Sequence, residues 1–147
     1  MPGFLSDLAS VHDFLSEVDS LFSQGRYFGY AITKDDEVVG AISVKLQTGE
    51  PEVSYWVRSD LTGRGIATEA LAELCDSLSC IDGFRLIHLR CDKANLRSQR
   101  VAENAGFIVQ REQSAEKRTD AQSGFELMFS RSATLDPWYN QGYTRLL

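Results

Sequence analysis

The amino-acid sequence predicts a mixed, mostly antiparallel sheet with helices packed on it, in the α+β or α/β range. Three observations lead there. Strand-like runs follow one another from residue 26 to residue 58, apolar spacing turns helical after residue 65, and strand and helix then alternate before a closing pair of strands. The composition suits one folded domain over 1–147: 147 residues, 43% hydrophobic and 24% charged, enough for a single core. No internal repeat, low-complexity tract or linker interrupts it.

The first element is SVHDFLSEVDSLF. Val11, Phe14, Leu15, Val18, Leu21 and Phe22 recur at helical spacing on one face, with Ser10 placed to cap the start and Gly25 to stop the helix. RYFGYAIT then alternates Phe28, Tyr30 and Ile32, and KDDE turns it into VVGAISVKL, a hairpin. QTGEP is a second turn, leading to EVSYWVR and completing a three-strand meander. From Ile66 the pattern Ala70, Leu71, Leu74, Cys75, Leu78 marks a helix running to Ser79. CIDGF breaks it and RLIHLRC is a strand. DKANLRSQ leads into a short helix with Val101, Ala102 and Ala105 facing inward and Gly106 at its end. FIVQRE is a strand, EKRTDAQSG a polar loop, FELMFS a last strand. Residues 131–147 form a tail of no clear period and unknown role.

Several function classes are excluded. A net charge of −6 speaks against nucleic acid as the main partner, because phosphate recognition wants a basic stripe. Cys75, Cys80 and Cys91 form no CxxC pair and do not cluster with His12 or His88, so no metal is implied, and an odd cysteine count fits a reducing cytoplasm. No apolar run approaches the roughly eighteen residues of a membrane span, and the start does not read as an export signal. His12 reads as a surface residue and His88 as a buried, hydrogen-bonded one.

The stretch TGRGIATEAL carries the chemistry. It lies between a strand and a helix, where the first N–H groups of the helix lack intrahelical partners and the dipole adds positive charge. Gly63 and Gly65 permit positive φ and close approach of an anion, and Arg64 adds a cation. Gly63, Arg64, Gly65, Ile66, Ala67 and Thr68 therefore read as a diphosphate-binding turn, against the alternative of a tight strand-to-helix connection. A dinucleotide-binding turn fits poorly: the third glycine is missing and three meander strands come first.

With these residues in view, the chain resembles the GNAT superfamily of N-acetyltransferases, on the side of the branch that acetylates ribosomal-protein N-termini. Tyr55-Trp56-Val57 followed by Thr62-Gly63-Arg64-Gly65-Ile66-Ala67 is similar to the family's Gln/Arg-x-x-Gly-x-Gly/Ala signature, with Thr62 in place of Gln or Arg. NLRSQRVAENAGF is similar to its second motif through Asn95, Ser98, Val101, Gly106 and Phe107. The resemblance runs from residue 27 to 130. It implies a three-layer fold in which the strands EVSYWVR and RLIHLRC splay apart around acetyl-CoA. On that frame Trp56, Val57, Arg58, the 63–68 turn, Asn95 and Ser98 contact the cofactor, and a backbone N–H near Val57 polarises the thioester carbonyl. A primary amine attacks directly in a ternary complex. Ser98 is the leaving-group acid, Glu52 the general base and Tyr55 lines the acceptor site. Each has a plainer role: helix N-cap for Ser98, turn residue for Asn95, solvated carboxylate for Glu52, core aromatic for Tyr55.

The family's opening strand and first helix have no counterpart in this sequence. That leaves RYFGYAIT as an open sheet edge, to be covered by residues 1–8, by the 131–147 tail with Trp138 and Tyr139, or by a second subunit in a homodimer. The acceptor is a small-molecule or peptide amine, with neither nucleic acid nor membrane as partner. A catalytically silent acyl-CoA-binding module and a nucleotide-binding protein are the competing readings.

Overall fold

The computed structural model describes residues 8–46 and 49–133. In chain order the elements are α1 (Leu8–Ser23), β1 (Tyr27–Lys34), β2 (Glu37–Leu46), β3 (Pro51–Val57), α2 (Ile66–Ser79), β4 (Leu86–Asp92), α3 (Leu96–Asn104), β5 (Ile108–Ser114) and β6 (Phe125–Ser132). A 3-10 turn at Ser59–Leu61 joins β3 to α2. The strands make one sheet in the order β1-β2-β3-β4-β6-β5, in which only β3 and β4 run parallel.

The predicted meander is present. Asp35 and Asp36 close its first turn with φ of 51° and 63°. Two consecutive positive-φ residues make a type I′ turn, whose twist suits a hairpin, and Asp tolerates that region better than most residues. Between β2 and β3 the backbones come very close at Gly40, opposite Val57. A Cβ there would stand 2.3 Å from the Trp56 carbonyl oxygen, so only glycine keeps this register.

One sheet face is buried beneath α2 and α3. Ile42, Val44, Val53, Ile87, Leu89 and Phe129 from the strands meet Leu71, Cys75, Leu78, Ala102 and Ala105 in a single cluster. Helical period on one side and strand alternation on the other put these residues face to face. Arg131 of β6 ties the layers together: its guanidinium donates to the Ala105 carbonyl at 3.0 Å and pairs with Asp76 of α2 at 3.1 Å.

Three expectations need correction. The helix already runs at Leu8, so Ser10 lies inside it rather than capping it. Its end is as predicted: Gly25, with φ 69°, donates to the Phe22 carbonyl while Arg26 donates to that of Leu21, the paired bonds of a Schellman stop. Part of the apolar stripe of α1, however, is open to solvent, and Val18 and Leu21 are only partly buried. Leu15 is 57% and Phe22 62% exposed, and with Val18, Asp19, Tyr27 and Gly29 they line an open groove. α1 packs beside the outermost strand, β1; its Glu17 holds Lys45 of β2 at 2.8 Å. The last strand continues to Ser132, so residues 131 and 132 belong to the sheet and not to a tail. The segments invoked to cover the β1 edge, before residue 8 and after residue 133, lie outside the described residues. On that edge Phe28 and Tyr30 are exposed.

Candidate active site

The site begins where the sheet comes apart. β3 and β4 pair at two positions only, Glu52 with His88 and Val53 with Leu89. Beyond them β3 stays with β2 as far as Val57, and β4 stays with β6 as far as Asp92. The strands thus diverge into a V-shaped gap. The Arg58 N–H donates to Val39 of β2 at 2.8 Å, and strand alternation turns the Trp56 main chain to the same side. By that alternation the Tyr55 and Val57 N–H and C=O groups face the gap, where a ligand can pair with them like a short added strand.

The glycine turn stands at the open end of the gap. Gly63 and Gly65 have φ of 78° and 79°, and an added Cβ at either would meet nothing within 4 Å. They are glycines for their conformation and because a side chain would fill the cradle. Gly65 is the N-cap of α2 without a side-chain cap, and the helix's first internal bond runs from the Glu69 N–H to the Gly65 carbonyl. The N–H groups of Ile66, Ala67 and Thr68 therefore precede the helical ladder and are available to an anion. An open main-chain cradle at the mouth of a splayed strand pair fits the diphosphate and pantetheine arm of coenzyme A.

Asn95, expected at the cofactor, is the N-cap of α3: its Oδ1 accepts the Ser98 N–H at 3.1 Å. That corrects the capping role offered for Ser98, which sits within the first turn and keeps its hydroxyl for other work. Ser98 Oγ lies 2.9 Å from Tyr55 Oη, and Tyr55 also donates to the Ser98 carbonyl at 3.2 Å. Burial pushes the Tyr55 phenol up to about 12, the Ser98 bond pulling the other way, so it stays protonated. Cys91 of β4 completes this floor. Burial raises its thiol to about 11, and a hydrogen bond from Ser98 acts in the opposite direction.

The remaining candidates are placed elsewhere. The parity of β3 puts Glu52 on the face opposite Tyr55, where Arg90 donates to its Oε1 through Nε at 3.0 Å and Nη2 at 2.7 Å. Arg90 also stands 3.5 Å from Glu126. Trp56, 41% exposed, shares that face. The Arg58 side chain turns away from the gap, forking onto Asp60 with bonds of 2.9 and 2.8 Å and reaching Glu37. His12 is exposed, as predicted. His88 is partly buried opposite Ser130. No cluster of metal-ligating side chains occurs among the described residues, and no described helix is long and apolar enough to cross a membrane.

Two residues escaped the sequence reading. Cys91 could have been found by counting two from Leu89 along the strand. Arg97 of α3, which donates to Thr62 Oγ1 at 3.1 Å, gives no local signal, because its partner is far away in the chain.

Comparison with known proteins agrees with this geometry. A family model described as an acetyltransferase (GNAT) domain matches residues 2–108. Ribosomal-protein-serine acetyltransferase of Escherichia coli (strain K12) is 32% identical over 93 residues, covering 61% of this chain and 52% of the relative. The chain thus spans about half the length of that curated relative. Mycobacterium smegmatis RimJ, solved in complex with CoA-disulfide, superposes with a TM-score of 0.73 at 25% identity, covering 90% of this chain and 68% of the other. A spermidine N-acetyltransferase, SpeG from Vibrio cholerae, gives a TM-score of 0.70 at 11% identity over 83% and 75% of the two chains, a likeness of fold. By its splayed strands, its glycine turn and the family match over most of its length, this chain is a member of the GNAT acetyltransferase family.

Proposed function

We propose that this protein is an acetyl-CoA-dependent N-acetyltransferase that moves an acetyl group to a primary amine, a protein N-terminus or a small-molecule amine, by direct attack in a ternary complex. The observation that carries the reading is the Tyr55–Ser98 hydroxyl pair held beside the gap between β3 and β4. Acetyl-CoA supplies the activated thioester. The turn amides of residues 63–68 hold its diphosphate, Tyr55 and Val57 main-chain groups hold its arm, and the Val57 N–H polarises the thioester carbonyl. The Ser98 hydroxyl gives a proton to the departing thiolate, oriented by Tyr55.

The attacking amine must first lose a proton, since an α-amino group titrates near 8. Glu52 is the proposed acceptor, through water and at Oε2, because both Arg90 bonds fall on Oε1. A second reading rests on that same pair: a carboxylate held by arginine is a poorer base, and the chain would then be a silent acyl-CoA-binding module. The two separate cleanly. Titration calorimetry with acetyl-CoA is paired with thiol release on incubation with peptides, polyamines and other amines. Binding with turnover supports the enzyme, binding without turnover supports the module, and absence of binding overturns both.

A further inference from the structure

We propose that Arg97 supplies a side-chain cation for the cofactor diphosphate, reaching it from α3 beside position 62; the inference rests on the acetyl-CoA reading above. Where the family carries Gln or Arg this chain has Thr62, a shorter side chain whose hydroxyl is already engaged within the protein. Thr62 Oγ1 donates to the Ser59 carbonyl at 3.0 Å and accepts from Arg97 Nη1 at 3.1 Å. The guanidinium of α3 is thereby parked on the first residue of the glycine turn. One donor of its fork is used on Thr62, and the others are directed by a planar group suited to phosphate oxygens.

Local electrostatics point the same way. Arg97 stands in the first turn of α3, which contains no acidic residue. A cation is disfavoured at a helix N-terminus by the dipole, and here the N-terminal end of α3 is brought against the turn that opens α2, with Arg64 in that turn. The opening turns of two helices meet here, and each includes or adjoins an arginine. An anion bound between them relieves the conflict.

The test is calorimetry on the full chain with acetyl-CoA, its 3′-dephospho form and acetyl-pantetheine, using wild type, Arg97→Ala, Arg97→Lys and the control Arg100→Ala, a substitution elsewhere on α3. Expected is a loss of roughly tenfold or more in acetyl-CoA affinity for Arg97→Ala. The same factor is expected for the dephospho form, none for acetyl-pantetheine, an intermediate value for Arg97→Lys and wild-type binding for Arg100→Ala. In turnover, KM for acetyl-CoA rises while kcat holds. Unchanged affinity in Arg97→Ala overturns the proposal. So does a loss confined to ligands bearing the 3′-phosphate, or an equal loss with acetyl-pantetheine, which would mark a merely structural effect. Failure of the wild type to bind acetyl-CoA would instead remove the cofactor reading itself.

Discussion

Replacing Tyr55 by phenylalanine removes one oxygen and keeps the ring. That oxygen lies 2.9 Å from Ser98 Oγ and 3.2 Å from the Ser98 carbonyl, in a setting where burial holds the phenol protonated up to about 12. A net contribution of about 1 kcal/mol per neutral hydrogen bond gives an expected loss of about 1–2 kcal/mol, or roughly 3–6 °C in Tm for a domain of this size. Urea unfolding of the wild type, Tyr55→Phe, Ser98→Ala and the double variant measures it. Because both single changes break the same bond, the double variant should lose about 1 kcal/mol less than the sum of the two. In turnover the Ser98 hydroxyl loses its orienting partner, so kcat should fall roughly tenfold while KM for acetyl-CoA stays near its wild-type value. Additive stabilities would refute the coupling. A raised KM at constant kcat would move Tyr55 from orienting Ser98 to holding a substrate.

The remaining predictions concern the backbone and alkaline pH. Gly65→Ala places a methyl group in open space at φ 79°, so stability should fall by only about 1–2 kcal/mol from the left-handed backbone. Acetyl-CoA affinity should fall at least roughly tenfold as the cradle fills; wild-type affinity in calorimetry would contradict that placement of the diphosphate. Gly40→Ala meets the Trp56 carbonyl at 2.3 Å, which no side-chain rotation relieves. A loss of about 1–3 kcal/mol should appear in urea melts, and an unaffected midpoint would deny the close approach. Tyr55 and Cys91 have folded values raised to about 12 and about 11, from ordinary values of 10.0 and 9.0. Their contribution is fully present below the ordinary values and is lost as pH rises through the folded ones. The urea midpoint should therefore drop between pH 9 and pH 12, less so in Tyr55→Phe combined with Cys91→Ala; an equal drop in that double variant would exclude these groups as the cause.

Elements fixed by local rules were legible in the sequence. The meander follows from alternation and turn residues, α2 from its apolar period after Gly65, and the end of α3 from Gly106, which has φ 86°. The cradle was legible because a strand, two glycines and a helix are neighbours along the chain. What failed depended on distant partners. The stripe on α1 is amphipathic in pattern, yet burial needs an opposing surface, and among the described residues Leu15 and Phe22 stay exposed. Glu52 reads as a free carboxylate until β3 is laid beside β4 and Arg90 arrives from 38 positions away. Arg97 meets Thr62 across 35 positions. Nor does the sequence show that the Arg58 side chain is taken by Asp60 and by Glu37, which lies 21 positions away.

The pairing of β3 with β4 has a mechanical consequence. The sheet consists of two antiparallel triplets, β1-β2-β3 and β4-β6-β5, stitched along two residue pairs. Such a seam is the weakest line in the sheet, and a ligand lying along it acts as a splice. Amide exchange at Val53 and Leu89 should slow when the gap is filled, while exchange deep inside either triplet should hardly change.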